Sequence, residues 1–129
     1  QEVDLYVALP EGLYLYEPKP HRLTPVLPGD FRGKTTGQTF VKDAAVVLVY
    51  VADLPRLAKA KPETRAFYAG IDAGCMVQNV YLYCASAGLG AVVYDLARPP
   101  LAEAMHLRAE QTGVGRAAHG GGDIGGGNR

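Results

Sequence analysis

Few residues of this chain have types and spacing that could support chemistry, and they lie far apart. The histidines are His21, His106 and His119, and the cysteines are Cys75 and Cys84. No histidine has a carboxylate at a spacing typical of a catalytic pair, so all three are interpreted as ordinary surface residues. The chain also has no GxSxG turn, no phosphate-binding Walker loop and no metal-ligand motif. The sequence therefore predicts no catalytic side chain and no metal site.

The two cysteines lie nine positions apart on one predicted helix. Nine residues at 100° each place Cys75 and Cys84 on opposite faces, about 13 Å apart along the axis. That distance excludes a disulfide between them. We therefore predict that both are small buried apolar residues.

The same helix belongs to the longest uncharged stretch of the chain, which runs between Asp72 and Asp95. A helix without a charged face lies in a core, in a subunit interface or in a membrane. Only about fifteen residues of the stretch have a helical pattern, fewer than the roughly 20 that a membrane span needs. No cluster of lysine or arginine flanks it. We predict a buried helix of a soluble protein that ends at Gly88-Leu89-Gly90.

Bulk composition narrows the class of protein. The 129 residues include 13 basic and 13 acidic side chains, so no net charge favours nucleic acid or an anionic membrane. Residues 113–129 hold eight of the 16 glycines and few aliphatic side chains. Such a segment buries too little apolar surface to offset its ordering entropy. We predict one domain over residues 1–112, followed by a tail, residues 113–129, that is disordered or outside the domain.

The order of strand and helix patterns predicts an α+β fold in which a sheet, antiparallel or mixed, packs on a long buried helix. Pro25 marks one strand as an edge strand, and the unbroken run Val46–Val51 indicates a central strand buried on both faces. Residues 33–39 are predicted to form a surface loop, and Asp30 to cap a short helical turn. The predicted strands are Val3–Leu9, Leu13–Tyr16, His21–Leu27, Val46–Val51 and Ala91–Tyr94, and the predicted helices begin near Glu63 and Arg98.

The order and spacing of five segments resemble the C-terminal two-thirds of nitroreductase-family flavoproteins, in the branch that includes the thiazole/oxazole-forming dehydrogenases. The resemblance covers residue 1 to about residue 112. On this comparison the fold is nitroreductase-like and incomplete at both ends. The segments are QEVDLYVAL, EGLYLY, FVKDAAVVLVYVADL, FYAGIDAGCMVQNVYLYCASAGLGAVV and RPPLAEAMHLRAEQ.

The resemblance implies an oxidoreductase that uses FMN and passes a hydride from NAD(P)H to a nitroaromatic, a quinone or a similar small acceptor. It also implies a homodimer with FMN at the interface, in which the uncharged helix packs in the dimer core. Small residues would let helices approach closely there: Ala69, Ala73, Gly74 and Ala85.

The resemblance also assigns cofactor-binding residues. Gln1 falls at the glutamine of the family's Asn-x-Gln flavin motif. Val93, Tyr94 and Asp95 fall at the turn where backbone N–H groups face the flavin N5 and O4. The family usually has glycine where this chain has Asp95, and its Arg-rich FMN phosphate motif and final strand do not match this sequence. We therefore expect FMN at low occupancy or absent in this chain.

A second hypothesis remains open. The domain could be a flavin-free relative that serves as a dimerising or partner-binding module. The sequence predicts no nucleic-acid partner and no membrane span. A cytoplasmic location is expected, with an exported one not excluded.

Overall fold

The computed structural model describes residues 2–94, 96 and 98–119, with backbone alone at residues 98 and 112–119. The strands are β1 (Val3–Leu9), β2 (Gly12–Glu17), β3 (Arg22–Pro28), β4 (Val46–Asp53), β5 (Gly90–Val93) and β6 (Gln111–His119). The α-helices are α1 (Pro62–Ser86) and α2 (Arg98–Ala104), and short 3-10 helices cover Arg32–Lys34, Thr39–Asp43 and Leu54–Leu57. The predicted site residues Gln1 and Asp95 lie outside the described residues.

The six strands form one sheet in the order β3-β2-β1-β4-β6-β5, and each neighbouring pair is antiparallel. The predicted hairpin of β1 and β2 is present, and β3 is an edge strand. Pro25, which has no N–H to donate, is compatible with that edge position. The predicted α+β class, with an antiparallel sheet and one long helix, is confirmed.

Strand β4 lies at the centre of the sheet and is buried on both faces, as its β-branched run predicts. Successive side chains alternate between the faces. Val47, Val49 and Val51 belong to one core cluster. Tyr50 and Ala52 belong to the other.

Each face of the sheet is covered by a different layer. On one face α1 packs through Ala69, Ala73 and Val77. On the other face lie the two 3-10 helices between β3 and β4, together with α2, which contributes Leu101. Met105, directly after α2, is buried in the same cluster.

The sheet extends beyond the predicted domain boundary at residue 112. Strand β6 continues to His119, and its backbone pairs with β4 on one side and β5 on the other. Backbone pairing explains the difference, because a glycine-rich strand between two others can be held by its ladder hydrogen bonds without large side chains. The predicted boundary is therefore wrong for residues 113–119. Residues 120–129 lie outside the described residues, so the predicted disorder there stays a prediction.

Helix α1 is less buried than its uncharged sequence predicts. Its large apolar side chains point outward, with Phe67 67%, Leu82 60% and Tyr83 68% exposed. The residues that it buries are mostly small: Ala69, Ala73, Val77 and Cys84. No helix in the described part of the chain combines the length and hydropathy that a membrane crossing requires.

The two cysteines lie on opposite faces of α1, as their spacing predicts. Cys84 is buried and Cys75 is exposed. The prediction that both are buried is therefore wrong for Cys75. Cys75 lies on the outward face of α1, and hydropathy does not indicate which face of an apolar helix meets the sheet.

Helix α1 ends at the predicted glycine. Gly88 has a φ of 68°, a conformation in which a side chain is strained. The Leu89 N–H donates to the Cys84 carbonyl at 2.8 Å, and the Gly88 N–H donates to the Ala85 carbonyl at 3.4 Å. These two bonds form a Schellman motif, which satisfies carbonyls at the helix end.

Replacing Gly88 with alanine is expected to lower the free energy of unfolding by about 1 kcal/mol, because the Cβ is strained at positive φ. Urea unfolding measures this change. The control is Gly37→Ala, since Gly37 has open space around it and no positive φ. An equal effect of the two substitutions would contradict the explanation.

Candidate functional site

The described residues of the predicted flavin turn lie at the end of β5. Val93 is the last residue of that strand and is half-buried, and Tyr94 follows it with 7% of its surface exposed. The chain thus directs the Tyr94 side chain into the core. Tyr94 can face a ligand only through its backbone.

The Tyr94 side chain packs against the segment between β3 and β4. Its hydroxyl lies 2.6 Å from the Thr35 Oγ1, in a buried hydrogen bond. The Phe40 ring meets the Tyr94 ring edge to face, with centroids 6.4 Å apart. This segment, residues 32–43, therefore forms the wall beside the end of β5.

Arg32 fixes the start of that segment. Its Nε and Nη2 donate to the two carboxylate oxygens of Asp30, at 2.9 and 2.7 Å, and its Nη1 donates to the Ala44 carbonyl at 2.6 Å. These contacts with Arg32 lower the pKa of Asp30. Asp30 also accepts the backbone N–H of Arg32 at 3.0 Å. The N-cap of the 3-10 helix is Phe31, without a side-chain cap bond, so the predicted cap at Asp30 is displaced by one residue.

The prediction of a surface loop over residues 33–39 is wrong in part. The segment begins and ends in 3-10 turns, and Thr35 is fully buried. Threonine is common in exposed loops, so the sequence does not indicate that the Thr35 hydroxyl forms a hydrogen bond with a tyrosine 59 positions later. Sequence reasoning also missed Phe40.

The position of β5 at the edge of the sheet suits the backbone role predicted for the flavin turn. Within the described sheet β5 pairs with β6 alone. Backbone groups alternate sides along an antiparallel strand, so those on the outer edge of β5 have no strand partner there. They are available to ring acceptors such as the N5 and O4 of a flavin. The edge position of β5 is therefore compatible with the predicted backbone contact, which stays a prediction.

The start of β1 and the end of β5 lie on different strands that are not neighbours in the sheet. Glu2, which follows Gln1 in the sequence and directly precedes β1, accepts the Asp53 N–H with its backbone carbonyl at 2.8 Å. From β1 to β5 the sheet order has three steps, by way of β4 and β6. At about 4.8 Å a step, the strands lie roughly 14 Å apart across the sheet.

The end of β4 carries a charge cluster that sequence reasoning missed. Asp53 has 3% of its side chain exposed, and its Oδ2 accepts from Arg108 at 2.5 Å and from Arg56 at 3.1 Å. Arg56 also binds Asp4 of β1 at 2.7 Å. The Asp53 Oδ1 is buried and has no hydrogen-bond partner among the described residues. The cluster joins β1, β4 and the turn before β6. No local pattern indicates this cluster, because Arg108 lies 55 positions from Asp53 in the chain.

Glu2 is a second buried carboxyl group, at the start of β1. Burial raises the pKa of Glu2, and a hydrogen bond with Asp72 of α1 raises it further. A group with a raised pKa contributes fully to stability below its unfolded pKa. That contribution is lost as the pH rises through the folded pKa, because the unfolded state ionises first.

Replacing Glu2 with glutamine is therefore expected to raise the free energy of unfolding more at pH 7 than at pH 4. Urea unfolding at both values measures the difference. Glu11→Gln, at an exposed turn position, is the control and should show no such pH dependence. A Glu2→Gln effect that is equal at both pH values would contradict the burial of an ionised carboxylate.

No group of three histidine, cysteine or acidic side chains within the described ranges forms a candidate metal site. The candidate site is the outer edge of β5 together with the wall formed by residues 32–43.

Comparison with known proteins identifies the fold that carries this site. The sequence profile of the nitroreductase family matches residues 1–115. A protein of Methanocaldococcus jannaschii, named as a nitroreductase, is 30% identical over 90 residues, which is 67% of this chain and 46% of that protein.

Solved structures agree. A protein of Ralstonia eutropha, titled as a nitroreductase, has a TM-score of 0.86 and 41% identity, and the match covers 95% of this chain and 60% of that one. A subunit in the Escherichia coli microcin synthetase McbBCD complex, solved with truncated pro-MccB17 bound, has a TM-score of 0.81 and 17% identity over 95% of this chain and 53% of that one. The second likeness shows the fold alone.

This chain spans about half the length of its curated relative and 60% of the Ralstonia protein. The match of the family profile to residues 1–115 nevertheless includes β1 to β5, α1, α2 and the first half of β6. The chain belongs to the nitroreductase family.

Proposed function

We propose that this chain is part of an FMN-dependent oxidoreductase that passes a hydride from NAD(P)H to a small electron-poor acceptor such as a nitroaromatic or a quinone. The family match supports the flavin. The observation that carries the site is the outer edge of β5, which has no strand partner within the described sheet, beside a buried Tyr94. When bound, the flavin supplies the hydride-transfer chemistry.

In this proposal the residues of the chain bind and orient the ring. The backbone at Val93, Tyr94 and Asp95 donates to the flavin N5 and O4, and Gln1 contacts the ring from the start of β1. Phe40, which is 39% exposed and lies on Tyr94, provides an apolar surface beside the ring that excludes water.

We further propose that the active unit is a homodimer with FMN between the subunits. Strand β1, which Gln1 precedes in the sequence, and strand β5 lie roughly 14 Å apart across the sheet of one chain. One contact from each of two copies would bring both to the same ring. The surface that would join the copies is the apolar face of α1, defined as Phe67, Tyr68, Ile71, Leu82 and Tyr83.

Two glycines on α1 support close approach of a second helix. Gly70 and Gly74 are exposed, and a Cβ at either position would meet nothing within 4 Å in this chain. A glycine inside a helix lowers helix stability by about 1 kcal/mol relative to alanine. Contacts within this chain do not explain the two glycines, because neither position is crowded. Of the small residues that the sequence suggested for this contact, Ala69 and Ala73 instead pack on the sheet.

The activity test is reduction of the FMN-loaded protein without oxygen. NADH or NADPH is expected to bleach the flavin band, and added menadione is expected to restore it. A loaded protein that neither nucleotide reduces would contradict the oxidoreductase proposal. The rates with NADH and NADPH would identify the donor.

A flavin-free dimerising or partner-binding module is the second candidate. The exposed apolar face of α1 favours it, and a neighbour in fold is a subunit of a synthetase complex. A protein that binds no FMN and yet forms a stable dimer would favour this candidate over the enzyme.

A further inference from the structure

The contact between Tyr94 and Thr35 joins two parts of the chain that no sheet pairing connects. Tyr94 follows β5 at one edge of the sheet, and Thr35 lies in the segment of the chain between β3 and β4. Both side chains are buried, Thr35 completely. Their hydroxyls are 2.6 Å apart.

The neighbouring hydrogen bond of Thr35 determines which of the two hydroxyls is the donor. The Thr35 hydroxyl has one hydrogen, and it donates that hydrogen to the Arg32 carbonyl at 2.8 Å. The Tyr94 hydroxyl must then donate to the Thr35 Oγ1. Burial raises the pKa of the Tyr94 phenol, so the donor keeps its proton at neutral pH.

The segment that contains Thr35 is rigidly held through Arg32. The Arg32 carbonyl that receives the Thr35 hydrogen belongs to a residue whose guanidinium binds Asp30 and the Ala44 carbonyl. Tyr94 therefore bonds to a segment fixed at both ends. Edge-to-face packing of Phe40 on Tyr94 adds a second contact with that segment.

We propose that Tyr94 is a positioning residue of the flavin site, whose side chain holds the end of β5 in place through Thr35. This proposal rests on the proposed function. Because β5 has only four residues and one described neighbour, its ladder alone holds its end weakly. The side-chain bond fixes the backbone whose N–H groups face the ring, and Tyr94 acts through that backbone rather than by touching the flavin.

The test uses Tyr94→Phe, Thr35→Val and the double variant. Both single substitutions keep the packing shape. Tyr94→Phe removes only the bond between Tyr94 and Thr35, whereas Thr35→Val also removes the bond from Thr35 to the Arg32 carbonyl. The matched control is Thr24→Val, which removes a 2.9 Å hydrogen bond to Glu17 on the distant edge strand β3. Hydrogen–deuterium exchange of peptides covering β5 and the FMN dissociation constant are measured for each protein.

Each single variant is expected to speed exchange in β5 and to weaken FMN binding about three- to tenfold, the range expected for one lost neutral hydrogen bond. The double variant should do no more than Thr35→Val alone, because Thr35→Val already removes every bond that Tyr94→Phe removes. Thr24→Val should change neither quantity. Unchanged exchange in β5 would overturn the proposed attachment. Faster exchange with unchanged FMN affinity would overturn the positioning role.

The test also separates this proposal from the proposed function. If the unmodified protein binds no FMN, the proposed function fails and the positioning role fails with it. The difference in β5 exchange between Tyr94→Phe and Thr24→Val would then still show whether Tyr94 anchors the strand.

Discussion

Replacing Asp53 with alanine is expected to lower the free energy of unfolding by about 2–3 kcal/mol. The carboxylate is buried and accepts charge-assisted hydrogen bonds from Arg108 and Arg56, and bonds of this kind are each worth about 1.5–3 kcal/mol. Because 60% of the Arg108 side chain is exposed, water solvates its guanidinium once the carboxylate is removed. This solvation offsets part of the lost stability. The expected total is therefore close to that of one such bond. Urea unfolding measures the change.

Two comparisons make this result specific. Asp43→Ala, at an exposed position, is expected to change stability by less than about 0.5 kcal/mol. Asp53→Asn keeps the size of the side chain but turns N–H donors toward arginine, so it should also destabilise. An Asp53→Ala variant as stable as Asp43→Ala would contradict the description of the cluster as the link between β1, β4 and the turn before β6.

Replacing Leu82 with aspartate is expected to weaken the homodimer about 100-fold or more. Leu82 belongs to the apolar face of α1 and is 60% exposed in the single chain, so the substitution costs the isolated subunit little. In a dimer joined at this face, the new carboxylate would be buried without a partner, at a cost of about 2–5 kcal/mol. Analytical ultracentrifugation across a range of protein concentrations measures the dissociation constant.

The control for the dimer is Ala109→Asp, which adds the same charge at an exposed turn far along the chain from α1. It should leave the dimer intact. The isologous contact of a two-fold dimer repeats each substitution on both copies, so Phe67→Asp should act like Leu82→Asp. Dimers that survive both substitutions would show that the copies meet through another surface.

The strands and the long helix were predictable because their signals are local. The β-branched run of β4 and the proline of β3 each determine the position of a strand in the sheet. Gly88 determines the end of α1 through its positive φ. Strand β6 was not predictable in the same way, because backbone pairing with β4 and β5 holds a segment whose composition predicts disorder.

The candidate site was predictable only through the resemblance, and only as backbone positions. Nothing in the sequence joins Thr35 to Tyr94 or Asp53 to Arg108, because both contacts form between residues more than 50 positions apart. The uncharged sequence of α1 predicts a buried helix surface, and two kinds of burial are compatible with that pattern. Hydropathy predicts that an apolar surface is buried. It does not indicate whether the surface is buried within its own subunit or against a second copy of the chain.

The central claim, that this domain binds FMN at the edge of β5, is tested most directly by adding FMN to the purified protein and recording its absorption and fluorescence. We predict a saturable but weak complex, in keeping with the low FMN occupancy expected from the sequence, in which the flavin fluorescence is quenched. Tyr94→Phe should bind FMN more weakly still, and Thr24→Val should bind it unchanged. A protein that remains folded and shows no saturable change with FMN would contradict the claim.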